Sequence, residues 1–204
     1  MSAHMLPAMR IFHREKAGRP IRALWTLEEA GVDYELVVMT AEEAAGDEHR
    51  ARHPRGKVPV LETGGETVFE STALCLHAAD LSADARLLGE PGSTERALVY
   101  QWLFFAMTEI EPPLIEAART RESHPELAAK AVKKAQGNID AVAANLGDRD
   151  FLVGDSFTVA DIVMSEVLGI VPRFELGELT GALPAYVERM GQRPARVRAE
   201  ARIG

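Results

Sequence analysis

Apolar positions change their spacing along the first forty residues of the chain. Ile11 and Phe12 begin a short apolar run that predicts a strand. Pro20 then opens a run with helical spacing, and Gly31 suits the left-handed turn that ends a helix. A second apolar run over 32–39 predicts another strand. A strand, a helix and a strand of these lengths predict a parallel crossover unit.

The next segment has a different pattern. Residues 40–52 are acidic and rich in alanine without a clear apolar stripe, so we expect a mobile loop with a short helix. Two short apolar runs, 58–62 and 66–69, flank a Gly-Gly pair and predict a β-hairpin. Ser71 follows as the expected N-cap of another helix. The first part of the chain therefore reads βαβ followed by ββα.

The rest of the chain predicts helices alone. Residues 84–93 lack periodicity and contain Pro91, so we expect a linker between two compact parts. Helical spacing then recurs over 100–110, 127–146, 159–171 and 184–190. We therefore predict a domain over 9–84, a linker over 85–93 and an all-helical domain over 94–204.

Composition narrows the class of protein. The 204 residues are 47% hydrophobic and 26% charged, which argues against a disordered chain or a membrane-embedded body. The formal net charge of -8 argues against a nucleic-acid partner, which needs a concentrated basic surface. Cys75 is the single cysteine, so no intramolecular disulfide forms and a reducing cytoplasm is expected. Residues 1–8 lack the features of a signal peptide; we expect a leader there, with Met9 as the natural start.

Four segments together resemble the glutathione S-transferase family. They are 20–31, 53–61, 70–73 and 154–161, and their order and separation carry the resemblance. The resemblance implies an α/β domain followed by an all-α domain: a thioredoxin-like βαβ-ββα domain and a C-terminal helical bundle. It also implies a homodimer that uses glutathione as cosubstrate, with no other cofactor and no metal.

The resemblance assigns the glutathione-binding residues to two places. The peptide before Pro59 is cis in the family, so that the backbone of Val58 pairs with the cysteinyl part of glutathione. Glu70 faces the γ-glutamyl ammonium, and Ser71 at a helix start faces its carboxylate, where backbone N–H groups and the helix dipole favour an anion. Lys57 lies near the glycyl carboxylate by the same resemblance, with a solvated surface lysine as the alternative.

The first loop departs from the family pattern. Family enzymes hold the thiolate with a serine or tyrosine hydroxyl or use a cysteine, whereas Ala17 and Gly18 occupy the serine or cysteine position here. The backbone N–H groups of Gly18 and Arg19, together with a nearby cation, are the candidate thiolate donors. His13 is another. The cations of this loop are Arg14, Lys16 and Arg19, and solvation of these side chains is the alternative.

Other residues divide between pocket and structure. The resemblance makes Phe105, Met107 and Thr108 candidates for an apolar substrate pocket, although most of their aromatic helix must be core. Thr158 and Asp161 have capping-box spacing, and we interpret them as structural. The histidine pair His49 and His53 has no completing ligand nearby in sequence, so we expect surface residues rather than a metal site. Cys75 lies in an apolar run, which predicts a buried, inert thiol.

The leading hypothesis is a cytoplasmic glutathione transferase that presents an activated thiol to a small hydrophobic electrophile. A non-catalytic binding or scaffold protein of the same fold is the first alternative, and the Ala17-Gly18 pair favours it. A glutathione-dependent reductase or peroxidase is the second alternative. It is disfavoured because Cys75 lies outside the first loop.

Overall fold

The computed structural model describes residues 9–15, 17–82 and 86–203. The chain forms two compact units. The first unit holds the described residues up to Ser82 together with 194–203, and the second holds 86–193. The expected leader, the candidate cation Lys16 and the first residue of the expected linker lie outside the described residues.

The first unit contains a mixed sheet. Its described strands are β1 (Arg10–Arg14), β2 (Glu35–Met39), β3 (Val60–Thr63) and β4 (Glu66–Phe69), in the order β2-β1-β3-β4. β1 runs parallel to β2, whereas β3 is antiparallel to both β1 and β4. Gly64 and Gly65 have φ values of 58° and 84°, as a two-residue hairpin turn requires. The predicted crossover and hairpin are both confirmed.

Two longer helices pack against each other in this unit. They are α1 (Pro20–Ala30) and α4 (Ser71–Asp80). Leu24 and Trp25 of α1 are fully buried, and Gly31 ends the helix in the left-handed conformation at φ 68°. Cys75 of α4 is buried as expected.

Residues 40–52, expected to form a loop with one short helix, contain two short helices. The segment forms α2 (Ala41–Ala45) and α3 (Asp47–Arg52), and a Thr40–Glu43 capping box starts the first of them. Phe12 packs with Ala44 and with apolar residues of β2 and β3 in one buried cluster. Each of these helices is too short to show an apolar stripe in sequence, because each buries a single side chain, Ala44 or His49.

The second unit is helical throughout its described residues. Its helices are α5 (Thr94–Phe105), α6 (Glu111–Thr120), α7 (Pro125–Leu146), α8 (Val159–Leu168), α9 (Ile170–Phe174) and α10 (Leu183–Gly191), with a π-helical turn at Ala106–Ile110. Pro112 and Pro113 lie in the first turn of α6, where proline is tolerated, rather than between helices. Together these observations confirm an α/β domain followed by an all-α domain. In the described part of the chain, no helix is both long and apolar enough to cross a bilayer.

Asp161 is fully buried in the first turn of α8, in the second unit. Its carboxylate accepts hydrogen bonds from the backbone N–H groups of Leu152 and Thr158, both at 2.9 Å, and from the Tyr186 hydroxyl at 2.9 Å. The Thr158 hydroxyl donates a further bond at 3.2 Å. The bond from the Thr158 N–H is the one expected of a capping box; the bonds from Leu152 and Tyr186 join a loop and α10 to the start of α8.

The two boundaries predicted for the domains differ from the structure. Helix α11 (Pro194–Ala201) packs on α1, and Arg198 Nε lies 2.9 Å from Glu28 Oε2, so 194–203 belong to the first unit. Residues 86–93 belong to the second unit rather than to a separate linker. Leu87 there is fully buried, and its carbonyl accepts from Val159 N–H at 2.9 Å. Neither packing partner is near in sequence, which explains why local patterns missed them.

Candidate functional site

The strand register gathers the candidate residues of the first unit at one edge of the sheet. Phe12 pairs with Val60, and Val60 pairs with Phe69. Because β3 is antiparallel to both neighbours, the end of β1, the start of β3 and the end of β4 lie side by side. His13, the 57–59 segment and Glu70-Ser71 therefore flank the same edge.

The segment before β3 contains the expected cis peptide, between Val58 and Pro59. Lys57 is exposed, Val58 is half-buried and Pro59 is buried. The Lys57 carbonyl oxygen lies 2.9 Å from Nε2 of His49 on α3.

The expectation that His49 and His53 lie on the surface is wrong. Their relative exposures are 1% and 6%. The ring centroids of His49 and Phe12 are 6.4 Å apart, and those of His53 and Phe69 are 4.7 Å apart. His53 Nδ1 also accepts from the Arg55 N–H at 3.0 Å. In the described ranges, no three His, Cys, Asp or Glu side chains are grouped as metal ligands.

Glu70 and Ser71 occupy different helix positions from those expected. Glu70 is the N-cap of α4, and Ser71 is the first helical residue, with 3% exposure. Glu70 has φ 73° and ψ 112°, a backbone conformation that costs a non-glycine residue about 1–3 kcal/mol and is found mostly at functional sites. Sequence alone carried no signal for it, because left-handed positions usually hold glycine or asparagine.

The start of α1 leaves the candidate backbone donors ahead of the helix. Pro20 has no N–H, while the N–H groups of Ile21 and Arg22 donate to the carbonyls of Gly18 (3.4 Å) and Arg19 (3.3 Å). Gly18 and Arg19 are exposed. Both residues therefore precede the first turn of α1, at the position that the sequence predicts for the candidate backbone donors.

His13 is buried in β1 with 1% exposure. Neither of its ring nitrogens bonds to another described residue. Burial, assisted by the charge of Arg14, lowers the pKa of His13, so the imidazole is neutral at neutral pH. A neutral imidazole carries one N–H donor, which a buried site leaves unsatisfied at a cost.

The three candidate pocket residues lie in the second unit, near the end of α5. Phe105 is half-buried and packs edge-to-face on Trp102, with ring centroids 5.5 Å apart. Met107 and Thr108 lie in the π-helical turn, and the Thr108 hydroxyl donates to the Phe104 carbonyl at 3.0 Å. Single π-helical turns are frequent at functional sites, and apolar periodicity does not reveal them.

Family comparisons agree with both units. Residues 8–80 match the model of the glutathione S-transferase N-terminal domain, and residues 97–194 match that of the C-terminal domain. The chain belongs to the glutathione S-transferase family. Glutathione S-transferase 4 of Zea mays is 33% identical over 204 aligned positions, covering 93% of this chain and 90% of the maize protein.

Solved structures of the glutathione S-transferase family share the fold. A glutathione transferase from Methylococcus capsulatus has a TM-score of 0.86 at 27% identity, covering 97% of this chain and 99% of that chain. A family member from Pseudomonas fluorescens with two glutathione bound has a TM-score of 0.81 at 24% identity, covering 97% and 94% of the two chains. Elongation factor 1-gamma 2 of Oryza sativa is also similar, at 34% identity over 71% of this chain and 36% of that protein.

Proposed function

We propose that this protein is a cytoplasmic, homodimeric glutathione transferase that activates the thiol of glutathione and transfers the tripeptide to a small apolar electrophile. The observation that carries the proposal is the shared sheet edge, where the segment before β3 and the end of β4 lie side by side. One peptide ligand in extended conformation spans such an edge. The family membership gives that ligand its identity.

Each end of glutathione meets a group of opposite character. The γ-glutamyl ammonium pairs with Glu70, and its carboxylate lies at the N-terminus of α4, beside Ser71, where backbone N–H groups and the helix dipole favour an anion. The cysteinyl backbone pairs with Val58. Exposed Lys57 lies close enough in sequence to Val58 to serve the glycyl carboxylate.

The thiolate is supported without a serine, tyrosine or cysteine in the first loop. Lowering the pKa of a thiol by two units needs about 2.7 kcal/mol of preferential interaction with the anion. In this proposal the amides of Gly18 and Arg19 and the charge of Arg19 supply it, with the neutral imidazole of His13 as a further donor. The thiolate sulfur then attacks an electrophilic carbon, and the leaving group departs with its electron pair. Phe105, Met107 and Thr108 hold the apolar part of the electrophile.

A non-catalytic binding protein of the same fold is the second candidate. The absence of a hydroxyl or thiol over residues 13–19 favours it, as does the similarity to elongation factor 1-gamma. A non-catalytic protein that retains the tripeptide site also binds glutathione, so binding and thiol activation have to be tested separately.

Calorimetric titration with glutathione tests the binding step. We expect the wild type to bind and Ser71→Ala to lose about 0.5–1.5 kcal/mol, the usual net contribution of one hydrogen bond. Ser82→Ala, elsewhere in the first unit, is the matched control and should keep wild-type affinity. A folded wild type that binds no glutathione refutes the proposal.

Thiolate absorbance against pH tests the activation step. Bound glutathione should ionise below its free pKa, and Arg19→Ala should raise the bound pKa because a positive charge near the sulfur is lost. Arg19→Lys should restore part of the shift, since it restores the charge but not the guanidinium geometry. A bound thiol that ionises like free glutathione contradicts activation and leaves the non-catalytic candidate.

A further inference from the structure

We propose that His49 is a positioning residue that orients the backbone N–H of Val58 toward glutathione. The inference rests on the proposed function and assigns a role to a side chain that contacts no substrate. The carbonyl oxygen of Lys57 can only accept a hydrogen bond, so the 2.9 Å contact requires His49 to donate through Nε2. The His49 ring therefore carries a proton on Nε2 in this contact.

The effect reaches Val58 through one rigid peptide plane. The carbonyl of Lys57 and the N–H of Val58 belong to the same peptide group, and Val58–Pro59 is the only cis bond in the described part of the chain. In a trans peptide the carbonyl and the N–H point in opposite directions within the plane. Holding the carbonyl toward α3 therefore turns the Val58 N–H away from α3. This amide is the one that pairs with the cysteinyl part of glutathione in the proposed site.

The packing around His49 makes its orientation rigid. The side chain is 1% exposed, and its ring lies 6.4 Å from the ring of Phe12 in β1. Nδ1 is buried without a hydrogen-bond partner in the described ranges, which leaves the Lys57 carbonyl as the contact that fixes the ring.

Substitutions of matched length separate the donor from the packing. His49→Gln places an amide nitrogen the same number of bonds from Cα as Nε2, whereas His49→Met has similar length without a donor. We expect His49→Met to weaken glutathione binding by about 3- to 10-fold, the loss of one hydrogen bond. His49→Gln should keep most of the wild-type affinity. His77→Met, at a half-buried histidine on α4, is the matched control and should bind like the wild type.

Two spectroscopic readouts distinguish positioning from general stability. Nitrogen-15 spectra of the His49 ring should show the Nε2–H tautomer, and the Val58 amide resonance should shift in His49→Met but return toward its wild-type position in His49→Gln. Equal affinities for the Met and Gln variants, alongside a wild type that binds, would overturn the role of His49 and leave the proposed function standing. Absence of wild-type binding would overturn both.

Discussion

Replacing Asp161 with alanine should destabilise the second unit by about 3–4 kcal/mol. The substitution removes the carboxylate acceptor of four donors: the Leu152 and Thr158 N–H groups and the Thr158 and Tyr186 hydroxyls. The Tyr186 hydroxyl keeps the backbone carbonyl of residue 161 at 3.5 Å as an acceptor, so three buried donors are left without one. An unsatisfied buried donor costs about 1–3 kcal/mol, so three set a minimum near 3 kcal/mol. Burial raises the pKa of the Asp161 carboxyl, because the ionised form loses its hydration. The alanine variant no longer buries this charge, and this gain keeps the predicted loss of stability near the minimum of about 3 kcal/mol.

A lost helix cap alone gives a smaller effect, about 0.5–2 kcal/mol. Chemical denaturation followed by far-UV circular dichroism measures the loss, and amide hydrogen exchange in α8 locates it. Asp155→Ala removes an exposed carboxylate from the same loop and is the matched control, with an expected change near zero. Tyr186→Phe removes one donor together with its bond and should cost about 0.5–1.5 kcal/mol.

The affinity for glutathione should not change in folded Asp161→Ala, because the proposed ligand residues lie in the first unit. A loss below about 1 kcal/mol would refute the reasoning from buried donors. Unchanged stability with lost glutathione affinity would instead assign Asp161 to the site.

Two further predictions concern the first unit. Glu70→Gly should be about 1 kcal/mol more stable than Glu70→Ala by thermal unfolding, because glycine adopts φ 73° without strain. Both variants should lose glutathione affinity. Equal stabilities would contradict strain at this position. Burial lowers the pKa of His13 and His53 in the folded state, so the unfolded chain binds more protons below the ordinary pKa of 6.5. This contribution to the free energy of unfolding should therefore be complete above pH 6.5 and should be lost as the pH falls through the folded pKa values. The double variant His13→Leu, His53→Leu should flatten this pH dependence. An unchanged pH profile in the double variant would contradict the role of these two histidines.

Elements with local signals were predictable from the sequence. The Gly64-Gly65 pair fixed the hairpin, and Pro20 and Gly31 marked the two ends of α1. These residues act through their own backbone preferences, which need no distant partner. The crossover and the hairpin predict which strands form pairs, β1 with β2 and β3 with β4, whereas the antiparallel pairing of β1 with β3 that joins them is seen only in the structure.

Features that depend on distant partners were not predictable. From sequence, His49 is expected on the surface. In the structure, the His49 ring packs near the ring of Phe12 in β1. The left-handed Glu70 has no signature in residue type, and the Asp161 network adds Tyr186 from a helix 25 residues away. In each case the decisive neighbour is brought in by tertiary packing, whereas the sequence pattern reports only local periodicity.

The packing of α11 on α1 makes the first unit depend on the last part of the chain to be synthesised. The second unit is one continuous stretch, 86–193, and all of it has been synthesised before Pro194 is added. Residues 194–203 cover one side of α1 and supply Arg198 as the partner of Glu28. Both contacts need the last residues of the first unit. Domains are generally completed in the order of their synthesis. The contacts of α1 with α11 can therefore form only after the whole second unit has been synthesised, although α1 lies in the part of the chain that is translated first.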